Sequence, residues 1–287
     1  MLRYLSFALL ISTSACSAAA PIEQADEPTS ETSQEALTTC GWLTGGTCTK
    51  LPAGNWRTAE YWGEFYLAKY HAQLENALEN IEQGPPPLTE PRAVLLITGV
   101  TIKAEWMEPI AARLKRDGFI PYIYEPPALL SGDLFEEAAA LDGIVDQVRA
   151  ETGQEKIDIL AECTGGVIAR HYIQSLDGDK KISRMVTFVS PQHGLPIAPI
   201  AHMMVGWPAL RDLTPSSAFM HAVNDVPLPA TVKFTSIYTC TDEYIQPSKT
   251  SYIPGATNIN LCQGFTGHFQ TMYDPEIYLI MHDALTK

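Results

Sequence analysis

Basic residues are scarce in this sequence. Its 287 residues include 19 Lys and Arg against 33 Asp and Glu, a net charge of -14. Nucleic-acid binding needs clustered Lys and Arg that neutralise phosphates, so we expect no nucleic-acid partner. No repeat is visible, and no apolar run reaches the roughly 18 residues of a membrane-spanning helix. Because 46% of the residues are hydrophobic, the chain can build a core, which excludes disorder over most of its length.

Residues 1–20 have the layout of a secretory signal. One positive charge, Arg3, precedes an apolar stretch, and small residues follow it. Residues 13–16 resemble a bacterial lipoprotein box, in which case Cys16 would carry lipid and anchor the protein to a membrane. Ordinary cleavage within residues 17–20 is the alternative. We therefore expect a secreted protein or a periplasmic or outer-membrane lipoprotein.

The segment after the leader has a different composition from the rest of the chain. Residues 21–38 are rich in acids and lack an apolar period, so they are expected to form a flexible tether. Residues 39–287 fit one large domain and a monomer, with an N-terminal disulfide loop and helix over 39–92.

Apolar strands alternate with amphipathic helices through that domain. This alternation predicts an α/β fold, with a mostly parallel sheet covered by helices on both faces. The chemistry of such sheets lies beyond the carboxyl ends of the strands. Strands are predicted at 93–98, 119–124, 156–161, 185–189, 232–238 and 257–261, and helices at 57–83, 103–116, 134–152, 164–176 and 275–285.

The cysteines suggest two disulfides and one remaining thiol. Export implies an oxidising compartment, where disulfides persist, although sequence alone does not determine their connectivity. Apart from Cys16, the expected pairs are Cys40 with Cys48, across a Gly-rich turn, and Cys240 with Cys262, near two strand ends. Cys163 is then left alone.

Cys163 stands where a strand meets a helix, in the run Ala161-Glu162-Cys163-Thr164-Gly165-Gly166. The pattern of a small residue, any residue, a nucleophile, any residue and Gly is typical of a nucleophile elbow. We expect the helix N-terminus to lower the pKa of the thiol. The alternative is a buried Cys at an ordinary strand-to-helix turn.

An acid and a histidine follow the last two predicted strands. Asp242 comes after the strand at 232–238, and His268 after the strand at 257–261. In this hypothesis His268 takes the thiol proton and later activates water, while Asp242 orients its imidazole. Glu243 and Glu162 are the rival acids, and the other histidines fit less well.

Further features concern the surroundings of this site. The first strand ends at Gly99, and we assign the two oxyanion-hole N–H groups to Val100 and Thr164, with a simple turn as the alternative. The apolar insert at 195–213 is either a lid or acyl-binding wall, or core packing. No paired His, Cys or His cluster or phosphate loop is visible, so we expect no metal and no cofactor.

From residue 93 onward the chain resembles the secreted bacterial lipases of the α/β-hydrolase superfamily, notably the small triacylglycerol lipase group. The matching segments are VLLITGV, KIDILAECTGGVIARHYI, MVTFVSPQHG, ALRDLTPSSAFMHAVN, FTSIYTCTDEYIQP and GHFQTMYDPEIYLIMHDAL. The resemblance implies an α/β-hydrolase fold, here with an N-terminal helical extension. It implies the triad Cys163, Asp242 and His268, with Val100 and Thr164 as oxyanion donors. Two positions depart from the family pattern: Cys163 replaces Ser, and Thr98 replaces His.

The leading functional hypothesis is an exported hydrolase of carboxylic esters that acts on a small acyl ester or a lipid through an acyl-enzyme thioester. One alternative is an acyltransferase or polyester-synthase-like enzyme on the same triad. Another is a non-catalytic descendant that binds an acyl ligand. A bridge between Cys240 and Cys262 would tie the acid loop to the His loop.

Overall fold

The computed structural model describes residues 38–40, 48–50 and 54–287, the first two ranges by their backbone alone. The expected leader, which includes Cys16, and most of the acidic tether lie outside the described residues. Strands β1 (Thr38–Cys40) and β2 (Cys48–Lys50) pair antiparallel and place Cys40 opposite Cys48. The predicted bridge between these two side chains also lies outside the described part and stays a prediction.

Six parallel strands form the central sheet. They are β3 (Ala93–Ile97), β4 (Ile120–Tyr124), β5 (Ile157–Glu162), β6 (Ile182–Phe188), β7 (Lys233–Tyr238) and β8 (Thr257–Asn260). Their order across the sheet is β4-β3-β5-β6-β7-β8, and every pairing is parallel. The strands β3 and β5 are buried along their whole length. This burial explains the continuous apolar sequence of β3, whereas β5 also carries the buried acids Asp158 and Glu162. All six predicted strands are confirmed, and their carboxyl ends meet at one edge.

The helices that cover the sheet begin and end close to the predicted positions. The longer ones are α1 (Ala59–Glu79), α2 (Glu108–Arg116), α3 (Leu134–Thr152), α4 (Cys163–Ser175) and α9 (Pro275–Thr286). Local chemistry sets their ends. Thr58 caps α1 by accepting a hydrogen bond from the N–H of Tyr61, and α3 ends at Gly153, whose φ of 70° is the left-handed value that glycine tolerates. The shorter helices are α5 (Ala198–Val205), α6 (Pro208–Asp212), α7 (Ala218–Asn224) and α8 (Gln270–Tyr273).

Two cores lie on opposite faces of the sheet. Leu95 and Ile97 face the core built with α3 and α4, whereas Val94 and Leu96 face the core built with α2 and α9. This alternation follows from the two-residue period of a strand. Among the described residues, no helix is both long and apolar enough to cross a bilayer.

The insert predicted at 195–213 folds as α5 and α6. Some of its side chains are buried in the core and others are exposed. Ala198 and Ala209 are buried in the core, as packing residues would be. On the outer face of α5, Ile200 is 57% and Met203 85% exposed, and the lid or acyl-binding wall stays a prediction.

Candidate active site

Cys163 occupies a sharp strand-to-helix turn. It is the first residue of α4, directly after β5, and its φ is 47°, in the left-handed region that non-glycine residues rarely adopt. The small residue two positions later is needed sterically. A Cβ at Gly165 would lie 2.7 Å from the carbonyl oxygen of Thr98. The predicted elbow geometry is therefore present, and Cys163 is half-buried at its tip.

The predicted acid and histidine meet beside this turn. The Nδ1–H of His268 donates to Oδ2 of Asp242 at 2.8 Å. Oδ1 of Asp242 accepts from the backbone N–H groups of Tyr244 and Ile245, each at 2.8 Å. Both side chains of the pair are buried. Since Asp242 is held by two backbone donors, it fixes the orientation of the imidazole.

Glu162 adds a second carboxylate to the site. Its side chain is fully buried, its Oε2 accepts from the N–H of Gly99 at 2.9 Å, and its Oε1 lies 2.9 Å from Nε2 of His268. From the sequence, Glu162 is a rival to Asp242 for the acid that orients His268. The structure instead places the two carboxylates on opposite nitrogens of one imidazole.

The charges of this cluster shift the pKa values of its members. Burial lowers the pKa of His268, but the attraction to Asp242 and the contacts with Cys163 and Glu162 outweigh burial and raise it well above its ordinary value. Burial raises the pKa of Glu162. Burial, reinforced by the charge of Glu162, also raises the pKa of the Cys163 thiol. The pKa of this thiol was expected to be lowered by the helix N-terminus, and that expectation is wrong because desolvation and the adjacent carboxylate dominate.

Covalent and hydrogen-bonded links tie the acid loop to the His loop. The predicted disulfide between Cys240 and Cys262 is confirmed, with an S–S distance of 2.00 Å. Thr241 Oγ1 donates to the carbonyl oxygen of Thr266 at 2.9 Å. Glu243, the other rival acid, accepts from the backbone N–H of His268 at 2.7 Å and so positions the loop rather than the ring. Among the cysteines whose side chains are described, only Cys163 lies outside a disulfide.

Aromatic side chains surround His268. Its ring makes edge-on contacts with Tyr244 and Phe269, at centroid distances of 5.4 and 5.5 Å. Tyr66 and Tyr70 of α1 lie against Phe269 at 4.8 Å each. The N-terminal helical extension therefore packs beside the loop that carries His268, and this aromatic cover keeps water away from the imidazole.

The predicted oxyanion donors lie at the same edge of the sheet. Val100 follows β3 and is partly buried against the core, and Thr164 is the second residue of α4, where helix N–H groups have no intrahelical acceptor. The N–H of Gly99, the residue before Val100, is bound to Glu162. Their assignment as oxyanion donors stays a prediction.

The other histidine that follows a strand, His193, contacts the carbonyl oxygen of Tyr252 instead.

The comparisons with known proteins agree with this architecture. A family model described as lipase (class 2) matches residues 140–278, which include Cys163, Asp242 and His268. Aspergillus fumigatus lipase B superposes with a TM-score of 0.59 and 18% identity over 69% of this chain and 53% of that chain. The mature form of Bacillus licheniformis lipase BlEst2 superposes with a TM-score of 0.57 and 16% identity over 72% of this chain and 96% of that chain.

The chain has the α/β-hydrolase fold and is similar to the class 2 lipases. One of the two metagenome-derived lipolytic enzymes LipS and LipT also superposes. Its TM-score is 0.52, at 14% identity over 70% of this chain and 94% of that chain. This chain thus spans about half of the fungal lipase and most of the Bacillus and metagenome-derived enzymes. At identities of 14 to 18%, these superpositions show a shared fold.

Two features of the lipase-like site were not found from the sequence. One is the inward position of Glu162, and the other is the cover that α1 provides. The alternation of side chains along β5 indicates the inward position of Glu162. Glu162 is two residues after Leu160, whose core also contains Phe269, the neighbour of His268. Together, Glu162, Cys163 and His268 place donor atoms within 4.8 Å of one another, a set that could hold a metal ion.

Proposed function

We propose that this protein hydrolyses carboxylic esters of acyl or lipid substrates, with Cys163 as the nucleophile and His268 and Asp242 as its partners. One observation carries the proposal. A thiol on a strained elbow lies within 4.8 Å of a ring nitrogen of His268, whose Nδ1 is bound to a buried carboxylate. This is the arrangement in which a positioned base activates a nucleophile.

Glu162 makes the proton transfers possible from a resting site in which His268 is protonated. Its Oε1 lies 2.9 Å from Nε2, and burial raises the pKa of this carboxyl. The Nε2 proton moves to Glu162, and the neutral Nε2 then accepts the proton of the Cys163 thiol. The sulfur attacks the ester carbonyl, and His268 returns its proton to the departing alcohol, which leaves a thioester on Cys163.

Deacylation runs through the same groups. His268 takes a proton from water, the hydroxide attacks the thioester carbonyl, and the carboxylic acid leaves as the thiol is restored. The carbonyl oxygen needs N–H donors at both attacks. We assign these donors to the N–H groups of Val100 and Thr164, while the N–H of Gly99 stays bound to Glu162.

Acyl transfer to an acceptor other than water is the second candidate. The observation that favours it is the dryness of the site, because His268 is 3% exposed beneath the aromatic cover. A poorly hydrated acyl-enzyme would prefer an alcohol or amine acceptor over water. The same assay distinguishes the two, since added alcohol would be incorporated into a new ester.

The test uses p-nitrophenyl esters from acetate to palmitate with the full chain. Cys163→Ala and His268→Ala are each expected to lower the rate by about a thousandfold or more, because each removes a member of one catalytic unit. His71→Ala is the matched control, since His71 is 65% exposed on α1 and pairs with Glu75 of the same helix. Equal rates for the wild type and Cys163→Ala would refute the nucleophile. A wholly inert wild type would favour a non-catalytic acyl-binding protein.

We also propose that the protein is exported and anchored through Cys16. The leader-like composition of residues 1–20 and the disulfide between Cys240 and Cys262 support this, because structural disulfides belong to oxidising compartments. Metabolic labelling with a radioactive fatty acid tests it. Label should appear in the wild type and be lost in Cys16→Ala. Unlabelled wild-type protein in the medium would instead support ordinary cleavage.

A further inference from the structure

The three donor side chains at the elbow are the types that zinc prefers. They offer one thiol sulfur, one imidazole nitrogen and one carboxylate oxygen, all within 4.8 Å of one another. Around a tetrahedral zinc ion, such donors would be about 3.4 to 3.6 Å apart. Oε1 of Glu162 and Nε2 of His268 are now 2.9 Å apart, so a small separation of these two atoms would admit the ion.

The buried oxygen of Glu162 is the second sign of a ligand. Oε1 is inaccessible to solvent and accepts no well-oriented hydrogen bond, although Oε2 of the same carboxylate is bound to the N–H of Gly99. A buried carboxylate oxygen without such a bond is costly. It lies 2.9 Å from Nε2 of His268, whose proton is now its counter-charge, and a zinc ion bound between Nε2 and the thiol of Cys163 would take the place of that proton.

The surrounding contacts prepare His268 and Glu162 as ligands. Asp242 accepts from Nδ1 and leaves Nε2 for the cluster, which is the support that a metal-binding histidine normally receives from a carboxylate. Gly99 orients Glu162 in the same way. Consecutive residues of a strand point to opposite faces, but the left-handed backbone of Cys163 breaks that alternation, so both neighbours reach one imidazole.

From this geometry we propose that Glu162, Cys163 and His268 form a zinc site, and that bound zinc blocks Cys163 as a nucleophile. Sγ, Nε2 and Oε1 bind the ion, and the half-buried side of Cys163 leaves the fourth position to water. Zinc stays divalent throughout. The protons of the thiol and of Nε2 pass to solvent as the Zn–S and Zn–N bonds form. Binding stands independently of the proposed ester hydrolysis, whereas inhibition rests on it.

The experiment measures zinc bound to the chelator-washed full chain by equilibrium dialysis, without thiol reductants that would open the disulfide. The wild type should retain one more equivalent of Zn²⁺ than Cys163→Ala or His268→Ala. Asp242→Asn should bind about 10 to 100 times more weakly, because only the support of His268 is lost. His71→Ala is the control and should match the wild type. Co²⁺ gives a second readout, a thiolate-to-cobalt absorption band that Cys163→Ala lacks.

Ester hydrolysis and alkylation by iodoacetamide are followed in the same preparation, with thermal melting to verify folding of each variant. Zinc should slow both reactions of the wild type at least tenfold, and a chelator should restore them. Equal zinc retention by the wild type and a folded Cys163→Ala would overturn the zinc site. So would zinc-saturated protein whose thiol is still alkylated at the full rate. If zinc binds and protects the thiol but the zinc-free protein hydrolyses no ester, the proposed function fails and the metal site remains.

Discussion

A buried carboxylate on the strand that carries the elbow allows a quantitative test of the energetics. Asp158 of β5 is 1% exposed, and its carboxylate lies 3.1 Å from Nη2 of Arg92 and 3.8 Å from Nη1 of Arg184. Burial raises the pKa of Asp158 from 3.8 to about 6, against the opposing attraction of the two guanidinium groups. Desolvation of the charge therefore outweighs the ion pairs.

The sign of the pH dependence follows from this shift. Between about pH 4 and pH 6 the folded protein holds more protons at Asp158 than the unfolded chain, so this group lowers the free energy of unfolding as the pH rises. A shift of about two pKa units corresponds to roughly 3 kcal/mol. Asp158→Asn does not titrate. Its free energy of unfolding, relative to the wild type, should therefore increase by about 2 kcal/mol from pH 4 to pH 7, since the carboxyl of the unfolded chain is already partly ionised at pH 4.

Urea unfolding of the two proteins at several pH values measures this difference, and groups common to both cancel. The difference in unfolding free energy at pH 4 sets the baseline, because the Asp158 carboxyl of the folded protein is then largely neutral and comparable to an amide. Asp177→Asn is the control, since Asp177 is 76% exposed beside Lys180 and should change stability little. A relative stability that falls with rising pH would refute the reasoning, because it would mean that the arginines outweigh desolvation.

Two further predictions concern the steric role of Gly165 at the elbow and the disulfide between Cys240 and Cys262. Gly165→Ala should lower the free energy of unfolding by about 1 to 3 kcal/mol, because its Cβ would lie 2.7 Å from the carbonyl oxygen of Thr98. Gly143→Ala, in α3 with no atom within 4 Å, should raise it by about 0.5 to 1 kcal/mol, and urea midpoints that move in the same direction would contradict this steric account. Replacing both Cys240 and Cys262 by Ala removes a bridge across 22 residues and should cost about 3 kcal/mol, as measured by urea unfolding. A smaller ester-hydrolysis rate should accompany that loss, whereas unchanged stability would show that other contacts hold the two loops.

Much of the fold could be predicted because local patterns record the environment of each element. The run 93–97 is continuously apolar, and β3 is buried on both faces. The elbow was recognisable because a tight crossing of strand and helix needs small residues, and Gly165 meets backbone oxygens. The positions of Asp242 and His268 were predictable because parallel strands bring their carboxyl ends to one edge.

The relation of the acids to the histidine was less accessible. Asp242, Glu243 and Glu162 were all candidates, and each makes a different contact with His268. They bind Nδ1, the backbone N–H and Nε2, respectively. Which oxygen reaches which nitrogen depends on loop geometry set by the bridge and by hydrogen bonds such as that from Thr241.

The sequence by itself determined the order of strands and helices and the elbow at Cys163, since each rests on local composition or on the shared edge of a parallel sheet. It offered Cys240 and Cys262 as a pair, but their connectivity is decided by the fold, which brings the two strand ends together. Only the tertiary structure decided the protonation of the site. The pKa of Cys163 is raised rather than lowered because the thiol itself is buried and because the charge of Glu162 lies beside it. Burial and distance are properties of the packed molecule. They come from elements far apart in the chain, among them the aromatic face of α1 that shields His268.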